Sequence, residues 1–406
     1  MKHIIMSVKE VEKVKVVRDI LAGRRMQKDE AERLGVTTRC IRNWMSSFDT
    51  DGPEGLVHGN RGKISPRRVP KKEQNKIVSL IRSKYPDFGP TFACEKLSEE
   101  HQISRDPKTI RSIMMKEKLW IPGTNTKLTA VHRAWRERRA KLGELVQFDG
   151  SYHHWFEDRE GTGEECLLAA IDDATGEILY ACFATDEGTL PVMGFWTIYA
   201  NKHGLPVCVY VDRFSTYKMT QEMAKQNPDV KTQLERAFAT LGVTLVFALS
   251  PQAKGRVERL FKTLQNRLVK ELRLRNISTL KEANRFLEKT FIPAYNRKFR
   301  VDPREQGNAH RPFSSRELQL LPETLCRLES RVVQNDFTCS FKTQWFQMLP
   351  SKGLAIRPQD PVVVREYPDR TLSFTIRSKR VQTKSIPKRI STAASRRTKT
   401  TTLIPT

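Results

Sequence analysis

Residues 145–274 change texture in an order that few folds accept. Three apolar stretches of strand character come first, at 145–155, 166–172 and 178–184, and the Asp172-Asp173-Ala174-Thr175-Gly176 segment between the last two reads as a hairpin turn. Helix and strand then alternate: a helix over 190–203, an apolar strand over 206–212 (PVCVYVD), a helix over 231–241, a strand over 243–249 and a long helix over 251–274. A meander followed by such alternation predicts a mixed α/β sheet with helices packed against it.

The residues before this block have a different texture. Val11, Val14, Val17, Ile20 and Leu21 recur at helical spacing over 8–22, and Gly23 ends the run. Two more helices are predicted over 26–34 and 37–48, with Ala31, Gly35, Ile41 and Trp44 where a helix-turn-helix needs a small contact, a sharp turn and two apolar anchors. Thr37 or Thr38 caps the second of them, whose outer face offers Arg39, Arg42 and Asn43. By itself this is equally an ordinary helical hairpin with a solvated face.

Charge shifts that balance. The chain carries 72 Lys and Arg against 46 Asp and Glu, a net +26, which favours a polyanionic partner, nucleic acid first. Residues 60–72, NRGKISPRRVPKK, hold six basic residues including Arg61, Lys63, Arg67 and Arg68, two prolines and no acid. Such a linker suits a phosphate backbone. A second helical unit follows over 73–118, with Ala93, Leu97, His101 and Ile103 ahead of a recognition helix at 108–119. Ile110, Ile113 and Met114 face inward there, and Lys108, Arg111 and Lys116 outward. Tandem units of this kind read a longer DNA site than one helix can.

The expected organisation is therefore multidomain. A helix-turn-helix unit over 1–59, a basic linker over 60–72 and a second such unit over 73–122 lead through a basic connector, 123–141, into the α/β core at 142–300. The helical signal fades after Ala294. A connector over 301–330 then precedes a small all-β barrel over 331–377, with Phe337, Phe341, Trp345, Val362, Val363, Val364 and Phe374 as core candidates. Residues 378–406 are too polar and basic to bury a core and are expected to be a disordered tail. No apolar run is long enough to cross a bilayer and the start lacks a signal-type segment, so neither a membrane nor a secreted protein is expected. Seven scattered cysteines without CxxC spacing read as reduced thiols of a cytosolic protein, not as a disulfide framework or zinc finger.

Three carboxylates stand out by position. Asp149 lies within the first strand (LVQFDG), Asp212 ends VCVYVD, and Glu258 falls in the first turns of the helix opened by SPQAKGRVERLFK. In a mixed sheet the first and fourth strands can be neighbours, and a helix beside them can bring a third acid to the same point. Hard oxygen ligands so gathered suit two Mg²⁺ or Mn²⁺ ions, which would clamp the attacking and leaving oxygens of an in-line phosphoryl transfer. Acids at strand ends are otherwise commonly turn or cap residues, and Asp172, Asp173, Asp186 and Glu187 are read that way. Around Glu258 the helix is crowded with cations: Lys254, Arg256, Arg259 and Lys262, the last one turn beyond Glu258 and on its face. His153 and His154 either line the site or alternate across a strand; the second is favoured. No GxGxxG or Walker-type loop is present.

QFDGSYHHWF, VYVDRFSTYK and SPQAKGRVERLFKTLQNRLVKEL together resemble the catalytic core of bacterial insertion-sequence transposases of the retroviral-integrase superfamily, the DDE type with an RNase H-like fold. ERLGVTTRCIRNWMSSF before them and AYNRKFRVDP after them are similar to the same family's flanks. The resemblance implies that Asp149, Asp212 and Glu258 are the metal-binding triad and that Lys262 contacts transposon-end DNA. It also implies water attack that frees a 3′-hydroxyl at the element's end, followed by attack of that hydroxyl on target DNA. Further implications are double-stranded DNA partners, at least a homodimer on DNA and a location at the bacterial nucleoid in the cytoplasm. The 46-residue separation of Asp212 and Glu258 exceeds that usual in retroviral integrases, and 216–229 is expected to be an inserted loop or short helix. The integrases' zinc-binding amino-terminal module is absent, so no zinc is expected. Two other functions compete: a sequence-specific DNA-binding regulator with an inactive core, and a nuclease that cuts without joining.

Overall fold

The computed structural model describes residues 6–61, 68–123, 137–212, 231–247, 255–350 and 353–387. The chain divides into two compact units, Met1–Leu128 and Thr129–Thr406.

The first unit opens with α1 (Val8–Leu21), α2 (Gln27–Leu34) and α3 (Thr38–Asp51), followed by a 3₁₀ turn at Gly52–Leu56. Ser7 and Glu10 cap α1 reciprocally. Gly35 ends α2 at φ 63°, the left-handed conformation that makes the sharp turn possible, and the Thr37 hydroxyl accepts the Cys40 N–H to start α3. Ile41 is fully buried against Val16 and Ala31, so α3 is seated as the sequence spacing requires. The second helical trio is α4 (Lys71–Lys84), α5 (Pro90–His101) and α6 (Pro107–Lys116). Asp106 caps α6 by accepting the Lys108 N–H at 2.7 Å, and Ile110, Ile113 and Met114 are buried as expected.

The second unit is built on a five-stranded sheet of β1 (Leu145–His153), β2 (Glu165–Asp172), β3 (Ile178–Ala184), β4 (Cys208–Val211) and β5 (Thr244–Phe247), in the order β3-β2-β1-β4-β5. The meander pairs are antiparallel, and β1–β4 and β4–β5 are parallel. Strand alternation sends Val146, Phe148, Val209 and Val211 to one face, where α7 (Thr189–His203) and α8 (Gln233–Leu241) cover them. The opposite face packs Leu167, Ala169 and Ile171 against α9 (Gly255–Leu274), α10 (Leu280–Phe286) and α11 (Ile292–Phe299). Asn284 and Asn296 each bond both the N–H and the C=O of one β3 residue, Phe183 and Ile178, which closes that sheet edge.

Several expectations are corrected. Helix persists beyond Ala294: α11 runs to Phe299, and α12 (Ser315–Thr324) is set by a Ser314–Glu317 capping box inside the expected connector. Among the described residues the terminal β region forms no closed sheet. Its strands are β6 (Arg327–Val332), β7 (Thr338–Phe341), β8 (Gln344–Met348), β9 (Pro361–Glu366), β10 (Leu372–Ile376), β11 (Lys379–Val381) and β12 (Thr383–Ile386). They form two open antiparallel sheets, β11-β10-β9-β6 and β12-β8-β7, with a shared core that includes Phe346 and Phe374 at a 4.8 Å centroid separation. Phe341, Val362, Val364 and Phe374 are inside, whereas alternation puts Val363 and Trp345 on outer faces and Phe337 is 42% exposed. Because β11 and β12 supply edge strands to these sheets, ordered chain extends to Ile386, past the boundary expected for the tail.

Candidate active site

Strand pairing bears on where two of the three acids lie. On the parallel pair β1–β4, Leu145, Val146 and Gln147 stand opposite Cys208, Val209 and Tyr210, a constant offset of 63. Carried two residues further, the same offset sets Asp149 level with Asp212. Neighbouring strands lie about 4.8 Å apart, and residues level with one another share a face. Both acids are half-buried and lie opposite the Phe148 and Val211 face, on the side that α9 covers.

Glu258 reaches that side by a different route. The Val257 N–H donates to the Gln147 side-chain oxygen at 3.2 Å, and Gln265 Nε2 donates to Ser151 Oγ at 3.3 Å. Eight helical residues rise about 12 Å, and four strand residues about 13 Å, so α9 runs alongside β1 in step with it. Asp149, midway between Gln147 and Ser151, is level with the second turn of α9. Glu258, Lys262 and Gln265 share one stripe of that helix, and Glu258, Arg259 and Lys262 are exposed. Among the described residues no three His, Cys, Asp or Glu side chains gather closely enough to hold an ion. The fit to a divalent cation therefore rests on the Asp149–Asp212 pair, hard oxygen donors on one rung, with Glu258 on the adjoining helix.

The surroundings of the pair are tightly specified. Beside Asp149, the Gly150 N–H donates to Glu187 Oε1 at 3.2 Å. A Cβ at Gly150 would fall 2.5 Å from Glu187 Oε2, so any larger residue there would have to displace the Glu187 carboxylate. The Glu187 N–H in turn donates to the Tyr152 hydroxyl at 3.0 Å. Burial pushes the Cys166 thiol on β2 up to about 12, which leaves it protonated and unfit as a nucleophile.

Arg256, expected to meet DNA with the other cations at this helix start, is held within the core by an ion pair. It is 16% exposed and donates to Asp173 Oδ1 at 2.8 Å. Asp173 is fully buried and also receives Gln147 Nε2 and the Arg139 N–H, both at 2.9 Å. Its neighbour Asp172 accepts the Gly143 and Thr175 N–H groups, and burial holds its carboxyl above the usual range. Both acids sit in the hairpin turn read from sequence, but as buried anchors. Gln147, a polar residue inside an apolar strand, was the available signal for this network.

Arg39, Arg42 and Asn43 on α3, Arg68, and Lys108 and Arg111 on α6 are exposed. Arg111 lies over the Trp120 ring at 5.5 Å, and Arg61 is paired with Glu10 at 2.5 Å. Lys63, Arg67, Lys254 and the expected insertion at 216–229 lie outside the described residues. His153 closes β1 edge-on to Trp155, and the exposed His154 bonds Asp158 at 2.5 Å, which raises its pKa.

Residues 12–64 match a helix-turn-helix domain family. The chain is 35% identical over 342 residues to the putative transposase y4bF of Sinorhizobium fredii, covering 84% of this chain and 73% of that protein. It is 30% identical over 371 residues to the transposase for insertion sequence IS1202 of Streptococcus pneumoniae, covering 83% and 77%. Among solved structures, the simian T-cell lymphotropic virus intasome in complex with the PP2A regulatory subunit B56 gamma overlays at a TM-score of 0.33 and 14% identity, covering 78% of this chain and 100% of that one. That overlay is too loose to argue from.

Proposed function

The chain belongs to the insertion-sequence transposases, and from that premise we propose that its α/β core cuts DNA at the ends of its element and joins them to target DNA, with Asp149, Asp212 and Glu258 as the catalytic acids. One observation supports the reading: the β1–β4 register over Leu145–Gln147 and Cys208–Tyr210, whose offset of 63, extended by two residues, would bring Asp149 level with Asp212. Mg²⁺ or Mn²⁺ ions held by these acids would neutralise charge on the phosphodiester and its attacking and leaving oxygens. The chain's own residues do the rest. Asp149 stands within β1 and Asp212 directly follows the last residue of β4, so two neighbouring strands of one sheet carry them. Lys262 and Arg259, exposed on the stripe and turn of Glu258, meet the DNA backbone as it approaches. Arg39, Arg42 and Asn43, with Lys108 and Arg111, read the terminal repeats, and Arg68 with the linker follows the phosphates. Joining two ends in one event calls for two or more copies of the chain on DNA.

Asp149→Asn tests the assignment. The variant is expected to bind terminal-repeat DNA within about twofold of wild type and to lose Mg²⁺-dependent cleavage and strand transfer by about 10³-fold or more. Normal cleavage by the variant sinks the acid assignment. A wild-type protein that binds ends and never cuts, with Mg²⁺ or with Mn²⁺, is a regulator instead, and one that cuts without joining is a nuclease.

A further inference from the structure

We propose that Gln147 and Asp173 are positioning residues that fix the first turn of α9, and Glu258 with it, along β1 relative to Asp149. The inference rests on Asp149, Asp212 and Glu258 being the catalytic acids. Gln147 precedes Asp149 by two residues on the same face of β1 and is fully buried. Both ends of its amide are used: Oε1 accepts the Val257 N–H at 3.2 Å, and Nε2 donates to Asp173 Oδ1 at 2.9 Å. The same Asp173 oxygen takes Arg256 at 2.8 Å, and its other oxygen takes the Arg139 N–H at 2.9 Å. The two residues immediately before Glu258 are thus tied, one through its backbone and one through its side chain, to the strand of Asp149 and to the β2–β3 turn.

The chemistry is particular to these side chains. The first-turn amides of a helix lack intrahelical acceptors, and here one of them is satisfied by a neighbouring strand. The helix therefore cannot slide along β1 without leaving a buried N–H and a buried amide unbonded. Glutamine alone serves both ends: Glu cannot donate to Asp173, and Leu or Met at this apolar site would pack but bond neither partner. Asp173 fixes which way the amide faces, because its buried carboxylate accepts the Gln147 NH₂ and so leaves Oε1 for Val257. The network touches no substrate. It acts through the placement of Glu258, and outer-shell placement of this kind is worth about 10–100-fold in ion affinity or activity.

The test uses the full-length chain carrying Gln147→Met, which keeps the volume and removes both bonds, alongside Asp149→Asn. Mn²⁺ binding is read by calorimetry without DNA, end cleavage is followed across Mg²⁺ and Mn²⁺ titrations, and terminal-repeat binding is measured in parallel. Gln147→Met is expected to bind DNA within about twofold of wild type while its half-saturating Mn²⁺ concentration rises about tenfold. Cleavage should be depressed at low ion and largely recovered at high ion. Wild-type Mn²⁺ affinity together with wild-type cleavage overturns the proposal. So does a loss of cleavage that excess ion cannot recover and that comes with lost DNA binding, since that is general structural damage. If Asp149→Asn is inactive and Gln147→Met behaves as wild type, only the positioning role fails; if Asp149→Asn cleaves normally, the acid assignment beneath it fails. Should Gln147→Met not fold, the isosteric Asp173→Asn decides, with about a threefold rise in half-saturating Mn²⁺ supporting the proposal and no change overturning it.

Discussion

Replacing Arg256 by Met separates a structural cation from one proposed to meet DNA on the same turn of α9. Its guanidinium donates to the fully buried Asp173, and Arg256 itself is only 16% exposed. Removing one partner of a buried ion pair costs about 3–5 kcal/mol, because the other charge is left uncompensated. Asp173 would keep the Gln147 amide and the Arg139 N–H, so the loss belongs at the lower end, about 3 kcal/mol. For a folded unit of this size that is a fall of about 6–12 °C in the melting transition. Arg259→Met is the control: Arg259 is exposed, so its loss should change stability by about 0.5 kcal/mol or less. It should instead lower the salt dependence of DNA binding by about one phosphate contact. Scanning calorimetry of both full-length variants, with terminal-repeat binding at several salt concentrations, gives the comparison. An Arg256→Met protein that melts within about 1 °C of wild type and loses the DNA contact instead would refute the ion-pair reasoning.

Two further outcomes are expected. Truncation after Pro387 removes Lys388, Arg389, Arg396, Arg397 and Lys399 while sparing β11 and β12, and should flatten the salt dependence of DNA binding without changing site preference; an unchanged slope in a binding titration denies these residues any phosphate contact. The His58 and Ser7 N–H groups hold the Glu10 carboxyl down to about 2, so its contribution to the first helical unit is complete above about pH 4.5 and lost as pH falls from there through 2. Glu10→Gln should therefore melt below wild type at neutral pH, with the gap closing in acid; a gap that stays constant with pH in circular-dichroism melts counts against this.

Local pattern carried most of the fold. β3 runs from Ile178 to Ala184 as its apolar texture predicts, and the Gly35 turn and the Ile41 anchor do what their spacing demands. What escaped the sequence depends on partners far away in the chain. Whether the last strands close into a barrel is decided by which edges pair, and β11 and β12 reveal their place only against β10 and β8. Their Lys and Arg residues made 378–386 look like tail, although Val381 is buried between exposed cations. The Arg256 ion pair was hidden for a similar reason: composition shows a cation-rich helix start, but the acid that draws this one inward is 83 residues earlier.

Asp149 and Asp212 were legible as acids within and at the end of strands, and which face of the sheet they take is governed by the apolar residues around them. A one-residue slip of β4 against β1 would turn Asp212 toward the α7 and α8 face and bring Val209 and Val211 out of it. Exposing two buried valines loses about 1.5–3 kcal/mol each, and an unpaired carboxylate in that apolar layer adds a penalty of several kcal/mol. The alternation in VCVYVD thus protects the register far more strongly than any interaction between two like charges, which repel. On the helix side the logic is reversed. The apolar stripe of Val257, Leu260, Phe261 and Leu264 holds α9 to the sheet but tolerates some sliding, and directional bonds from Gln147 and Gln265 supply the axial register. A site assembled from distant acids needs both devices: hydrophobic alternation to choose the face, and buried hydrogen bonds to choose the height.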